Sequence, residues 1–117
     1  MQRVHHHLQL LNRDGKYVDP DDATFAAAAA GADWKSVPGM GLSLVNQKGA
    51  QSWPITGASF VMMYKQPAKA ADSNEALKFF DWAFKNGKKQ AAELDYVPIP
   101  DAVTKYIAES VWTQIKR

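Results

Sequence analysis

Apolar and polar positions fall into three regimes along this 117-residue chain. Up to about residue 50 the apolar runs are short and broken by turn-forming residues. Residues 51–64 then pass from polar Gln51 and Ser52, through Trp53-Pro54, into the unbroken run Phe60-Val61-Met62-Met63-Tyr64. Beyond that run the apolar positions take helical spacing. Five apolar residues in succession are too few for a helix and suit a strand buried on both faces. Pro54 has no amide donor and biases Trp53 toward extended geometry, so it belongs at the start of that strand. A strand of this kind needs more neighbours than the rest of the sequence offers.

Ahead of it, Leu8, Leu10 and Leu11 lead into Asn12-Arg13-Asp14-Gly15, and Lys16-Tyr17-Val18 comes back. Asp-Gly between apolar runs predicts a β-hairpin, because glycine tolerates the positive φ of the turn. Asp14 is therefore a turn residue rather than a ligand. Asp19 is the expected N-cap of a helix with Pro20 at its first position and Asp21 and Asp22 in the first turn. Residues 24–30, with alanine from 26 to 30, form the helix body, and Gly31 is the expected left-handed cap. The three aspartates lack the ligand and glycine spacing of a calcium loop. Residues 32–50 read as irregular, with turns at Pro38-Gly39 and Lys48-Gly49. Gly39-x-Gly41 is followed by neither a Lys-Ser/Thr pair nor a helix, so it is no phosphate cradle.

After the central run, residues 66–72 read as a linker and Ser73 as the N-cap of a helix over residues 74–86. Leu77, Phe80 and Phe84 make its buried stripe, widened by Ala76 and Ala83; Phe79 and Trp82 lie off that line. Gly87 ends this helix, and residues 88–94 resume as a short one. Tyr96-Val97-Pro98-Ile99-Pro100 must be extended, since each proline forces its predecessor out of the α region. The last helix is expected from near Asp101, with Val103, Ile107, Val111 and Ile115 as its stripe and Lys116 and Arg117 at its C-terminal end.

Composition narrows the function classes. With 46% hydrophobic and 22% charged residues the chain is globular, and its length suits one modest core. Fourteen basic against twelve acidic side chains give a net charge of +2, which supplies no bulk attraction to nucleic acid or an anionic membrane. No nucleic-acid partner is expected. There is no cysteine, which removes disulfides and thiol chemistry. No apolar run approaches the roughly 18–20 residues of a bilayer span. The first ten residues lack the apolar core, about 7–15 residues long, of a signal peptide. Expressed as this sequence, the chain is expected to stay in the cytoplasm. Residues 1–7, with His5-His6-His7, read as a non-native or disordered leader. Adjacent histidines diverge and have no clustered carboxylate or cysteine, so no metal site is expected. Ser43, Ser52, Ser59 and Ser73 have no His–Asp partners. Neither an enzyme nor a cofactor is expected.

Several blocks occur in one order: Asp14-Gly15-Lys16, Gly31-Ala32-Asp33-Trp34, Asn46-Gln47-Lys48-Gly49, Trp53-Pro54-Ile55-Thr56, Leu77-Lys78-Phe79-Phe80-Asp81-Trp82-Ala83, and Leu94-Asp95-Tyr96 followed by Pro98 and Pro100. Together they closely resemble the C-terminal part of the PstS family, the periplasmic phosphate-binding proteins of the bacterial ABC phosphate importer. The resemblance covers residues 8–116 but only about the last third of the family's length. It implies an α/β fold, a C-terminal fragment of a two-lobed type II periplasmic binding protein with few strands and three to four helices. Residues 8–52 would belong to the second lobe. Residues 53–57 would be a crossing, with Trp53, Pro54, Ile55 and Thr56 as hinge. Residues 58–117 would carry the strand and the C-terminal helices that pack on the first lobe.

The family's phosphate ligands are a Thr-Phe pair, a Ser, an Asp, an Arg and a Ser-Gly-Thr turn opening a helix. All lie upstream of the matching region, and none of these motifs is present. Thr56-Gly57-Ala58-Ser59 echoes a small-residue anion turn, but that position is strand in the family, so no phosphate-binding residue is assigned. The resemblance thus implies phosphate transport, with inorganic phosphate and the importer's membrane subunits as partners in the full-length context only, and a periplasmic location. The alternative is a stand-alone interaction or oligomerisation module without a small-molecule ligand, self-associating through an exposed strand edge.

Overall fold

The computed structural model describes residues 8–117; the histidine-bearing leader lies outside them. The fold is mixed α/β, with two strands and four α-helices among the described residues. The chain divides into two compact units, one ending at Ala58 and the other running Ser59–Arg117.

The first unit starts with the expected hairpin. Strands β1 (Leu10–Leu11) and β2 (Tyr17–Val18) pair antiparallel, Leu10 opposite Val18 and Leu11 opposite Tyr17. Gly15 takes φ +74° at the turn, the conformation the Asp-Gly pair foretells. Helix α1 (Asp22–Gly31) follows, but its N-cap is Asp21, not Asp19. The reason is Thr24. Its amide donates to Asp21 Oδ1 at 2.8 Å, and its hydroxyl accepts from the Asp21 amide at 3.2 Å, closing a reciprocal capping box. The same hydroxyl reaches the Asp19 carbonyl at 2.6 Å. Gly31 is the last helical residue rather than a left-handed cap, and Ala32 is extended. A side chain is excluded at Gly31 for a different reason: a Cβ there would lie 2.9 Å from the Lys48 carbonyl oxygen.

The core of this unit gathers around α1. Val18, Ala28, Ala29, Trp34, Met40, Leu44 and Trp53 are buried. The alanine run therefore serves close packing as well as helix propensity. Trp34 hydrogen-bonds through its indole nitrogen to the Ala29 carbonyl at 2.7 Å, which satisfies the buried polar edge of the ring. A 3-10 turn, Pro38–Met40, precedes the loop that leads to residue 50.

The second unit opens with residues 60–64, and here the expectation of a buried strand is overturned. The segment pairs with no strand among the described residues. Phe60, Val61, Met62 and Tyr64 are exposed, Met62 to 94%. An interior strand needs a neighbour on each edge and a layer over each face. The two-stranded hairpin and four helices supply no such set.

Helix α2 (Ala70–Asn86) begins three residues ahead of the expected cap at Ser73, with Lys69 as N-cap. Ala70 and Ala71 favour helix, and Asp72 suits the positive end of its dipole. Leu77 of the expected stripe is buried, while Phe79 and Trp82 are exposed and stack with centroids 6.5 Å apart. Helix α3 (Lys88–Glu93) and helix α4 (Asp101–Tyr106) follow as anticipated, joined at their first turns by a Lys88–Asp101 ion pair.

The last helix does not stay regular. A π-turn, Ile107–Val111, and a 3-10 turn, Trp112–Gln114, continue α4, and Ile115 is extended. The stripe itself accounts for the wide turn. Strict i+4 spacing on an α-helix drifts about 40° per step, and a turn closed by i→i+5 bonds takes up that drift. Val103 and Ile115 end up buried at its two ends. Trp112 stacks on Phe84 at 5.9 Å, closing α2 against the C-terminal segment. The Lys116 amide donates to the Lys65 carbonyl at 2.8 Å, so the chain end pins the foot of the 60–64 run instead of prolonging a helix.

Candidate functional site

Trp53, Pro54, Ile55 and Thr56, expected from the sequence as a hinge, are held unequally. Trp53 is buried, its ring edge-on to Phe25 of α1 at 6.0 Å. Its amide donates to the Thr24 carbonyl at 3.1 Å. Pro54 cannot donate, but its carbonyl accepts from the Asn46 amide at 2.8 Å, and Ile55 forms a single antiparallel bridge with Val45. Thr56 returns its hydroxyl to the Trp53 carbonyl at 3.1 Å. After Thr56 the backbone makes no further backbone hydrogen bond with described residues until Lys65. The segment is thus clamped at its tryptophan and loose beyond its threonine.

The clamp is built from behind by a residue the sequence did not flag. Asn12, at the hairpin turn, is only 5% exposed. Its Oδ1 accepts from the Asp14 and Lys16 amides at 3.1 and 3.0 Å. Its Nδ2 donates to the Gly49 and Ala50 carbonyls at 3.2 and 2.9 Å. Asp14 Oδ2 also accepts from the Gly49 amide at 3.1 Å, a tertiary role beyond its turn. Gly49 itself sits at φ +124°, and a Cβ there would lie 2.7 Å from Ser52 Oγ. Ser52, fully buried, donates to the Lys48 carbonyl at 2.9 Å. Hairpin, 48–50 turn and Ser52, the residue before Trp53, are therefore one hydrogen-bonded block.

The arrangement offers little to a free anion. Thr56-Gly57-Ala58-Ser59 opens no helix, so its amides are not gathered as a helix N-terminus would gather them. The first turns of α1, α2 and α4 carry Asp22, Asp72 and Asp101, whose charge opposes an anion there. Arg13 and Arg117, the arginines of the described residues, are both exposed. Among the described residues no three His, Asp or Glu side chains gather as metal ligands do, and no helix is long and apolar enough to cross a membrane. A shallow groove of about 290 Å³ lies in the second unit between Leu77, Lys78, Asp81, Ala108, Trp112 and Arg117. Its charged residues from α2 are already engaged, Lys78 with Glu75 at 2.7 Å and Asp81 with Lys85 at 2.6 Å.

No family model matches the chain. Individual proteins do. It is 46% identical over 107 residues to the phosphate-binding protein PstS of Pasteurella multocida, covering 92% of this chain and 31% of that protein. The corresponding protein of Haemophilus influenzae is 43% identical over 110 residues, 94% of this chain and 33% of its own length. A PstS of Xylella fastidiosa is 45% identical over 103 residues, 88% of this chain and 28% of its own. The chain thus spans about a third of the length of these relatives. Identity at this level across nearly all of its residues places the chain in the family of the phosphate-binding protein PstS.

Proposed function

We propose that this chain is the C-terminal third of a phosphate-binding protein of an ABC-type phosphate import system, contributing hinge and packing elements and not binding phosphate alone. The reading rests above all on its relatedness to PstS proteins over 88–94% of its residues, against about a third of theirs. In the complete protein, two lobes of a type II periplasmic binding fold close on phosphate. Trp53, Pro54, Ile55 and Thr56 are the returning crossing between them, residues 8–52 belong to one lobe, and residues 58–117 pack on the other. The unequal hold on the crossing supports this assignment: a buried tryptophan fixes one end, and the unbonded backbone after Thr56 leaves φ and ψ free to change. In that context the protein's partners are phosphate and the importer's membrane subunits, and its place is the periplasm.

Non-binding by the isolated chain is supported by aspartates at three of the four helix starts, the six-residue α3 being the exception, and by the exposure of Arg13 and Arg117. Isothermal titration with inorganic phosphate at micromolar concentration tests it. The expected trace is heat of dilution; saturable heat with one site refutes the claim. A second reading, an oligomerisation module without a small ligand, draws on the exposed 60–64 run. Gel filtration separates the two, since a clean monomer removes the module.

A further inference from the structure

We propose that Asn86 is a site of slow deamidation, gated by opening of the last turn of α2. The site goes beyond the proposed function and does not depend on it. Asn86 is exposed and is followed by Gly87. With no side chain on Gly87, nothing shields its amide nitrogen from the Asn86 side-chain carbon. The other asparagines, Asn12, Asn46 and Asn74, precede Arg13, Gln47 and Glu75, whose side chains crowd the same approach. Asn12 is also fixed by its hydrogen bonds to the hairpin and the 48–50 turn. The joint itself demands the glycine, since a Cβ on residue 87 would lie 2.7 Å from the Ala83 carbonyl oxygen. The unshielded nucleophile is therefore a consequence of the fold.

The reaction needs only solvent water. The Gly87 amide gives up its proton, and its nitrogen bonds to Asn86 Cγ. The Cγ–Nδ2 bond breaks, and Nδ2 takes up a proton and leaves as ammonia. Water then opens the succinimide ring at either carbonyl. The products are aspartate, or isoaspartate with the main chain rerouted through Cγ. The folded helix holds both partners back. The Gly87 amide donates to the Ala83 carbonyl at 2.7 Å, and Asn86 Nδ2 donates to the Trp82 carbonyl at 2.9 Å. Both bonds run back along the helix, so the nitrogen meets Cγ only after the last turn has come apart. Helix ends open at far lower cost than cores do. Gly87 closes α2 and caps α3, and its carbonyl accepts from the Ala91 amide at 2.9 Å. A carboxylate placed here opposes the negative end of the α2 dipole. The additional main-chain carbon of isoaspartate displaces the start of α3, where Lys88 pairs with Asp101.

Peptide mass mapping reads the conversion in the whole chain, incubated in mildly alkaline buffer and, in parallel, in the same buffer with urea. Asn86 is expected to convert ahead of Asn12, Asn46 and Asn74 in both, and at least about ten-fold more slowly in the native chain than in urea. Ala83→Gly, which loosens the last turn, is expected to raise the native rate about five-fold and leave the urea rate unchanged. Asn12→Ala, which weakens the first unit, is expected to leave the native rate at Asn86 unchanged. Another asparagine converting first overturns the proposal, as does a native rate equal to the urea rate. So does an Asn86 that never converts in the native chain, or one whose rate ignores Ala83→Gly. Acceleration by Asn12→Ala overturns it too, because the route would then be opening of the whole chain.

Discussion

Asn12→Ala is the substitution that tests how the first unit is built. The side chain is buried and makes four hydrogen bonds to backbone, two that shape the hairpin turn and two that cross to Gly49 and Ala50. A typical intramolecular bond contributes about 0.5–1.5 kcal/mol net, which bounds the loss at about 2–6 kcal/mol. The lower half of that range applies. Asp14, Lys16 and Ala50 are exposed, so water replaces part of what the amide provided, and we expect a loss of about 2–3 kcal/mol. For a domain of typical stability, about 5–15 kcal/mol, that is a large fraction. Urea unfolding followed by tryptophan fluorescence reads it, because Trp34 and Trp53 both lie in the affected unit. Asn12→Asp serves as the control for charge and shape. It keeps the acceptor for the two turn amides but sets a carboxylate against the two carbonyls, so it is expected to be at least as harmful as alanine. A loss below about 0.5 kcal/mol for Asn12→Ala, the level of an ordinary surface change, would refute the clasp.

Three further expectations follow from the same structure. Asp21→Ala removes the cap from α1 and should cost about 1 kcal/mol, whereas Asp19→Ala should cost less, a ranking that thermal melts of the two variants decide. Trp53→Ala empties a buried aromatic site beside Phe25 and should cost about 3–5 kcal/mol, enough to leave the first unit largely unfolded by amide exchange. Met62→Lys should leave the melting curve within about 0.5 kcal/mol of the parent while raising solubility; a marked destabilisation would mean the side chain is packed after all.

How far the sequence reaches depends on the range of the physics involved. The hairpin at Asp14-Gly15, helix α1, and helices α2 to α4 are visible because turn chemistry, alanine content and i+3/i+4 spacing act within a few residues. The shift of the cap from Asp19 to Asp21 is a near miss of the same kind, decided by a threonine hydroxyl three residues on. The Asn12 clasp is invisible, because its partners lie 37 and 38 residues away and one asparagine in a turn looks like any other. Residues 60–64 fail for the opposite reason. Their composition suits an interior, yet burial is a property of neighbours, and among the described residues no strand pairs with them. The crossing proposed at Trp53 to Thr56 comes from resemblance alone; what holds Trp53 in place becomes legible only with α1 beside it.

The widened turn over Ile107–Val111 makes the tail unequally sensitive to chain length. It holds one residue more than an α-helix would need for about the same rotation and rise. Removing one residue there would relax the backbone into ordinary α geometry and leave everything downstream nearly in phase, with Trp112 still on Phe84 and Lys116 still on Lys65. The same deletion in regular α4 would swing the tail by about 100° around the axis and unfasten the end of the protein.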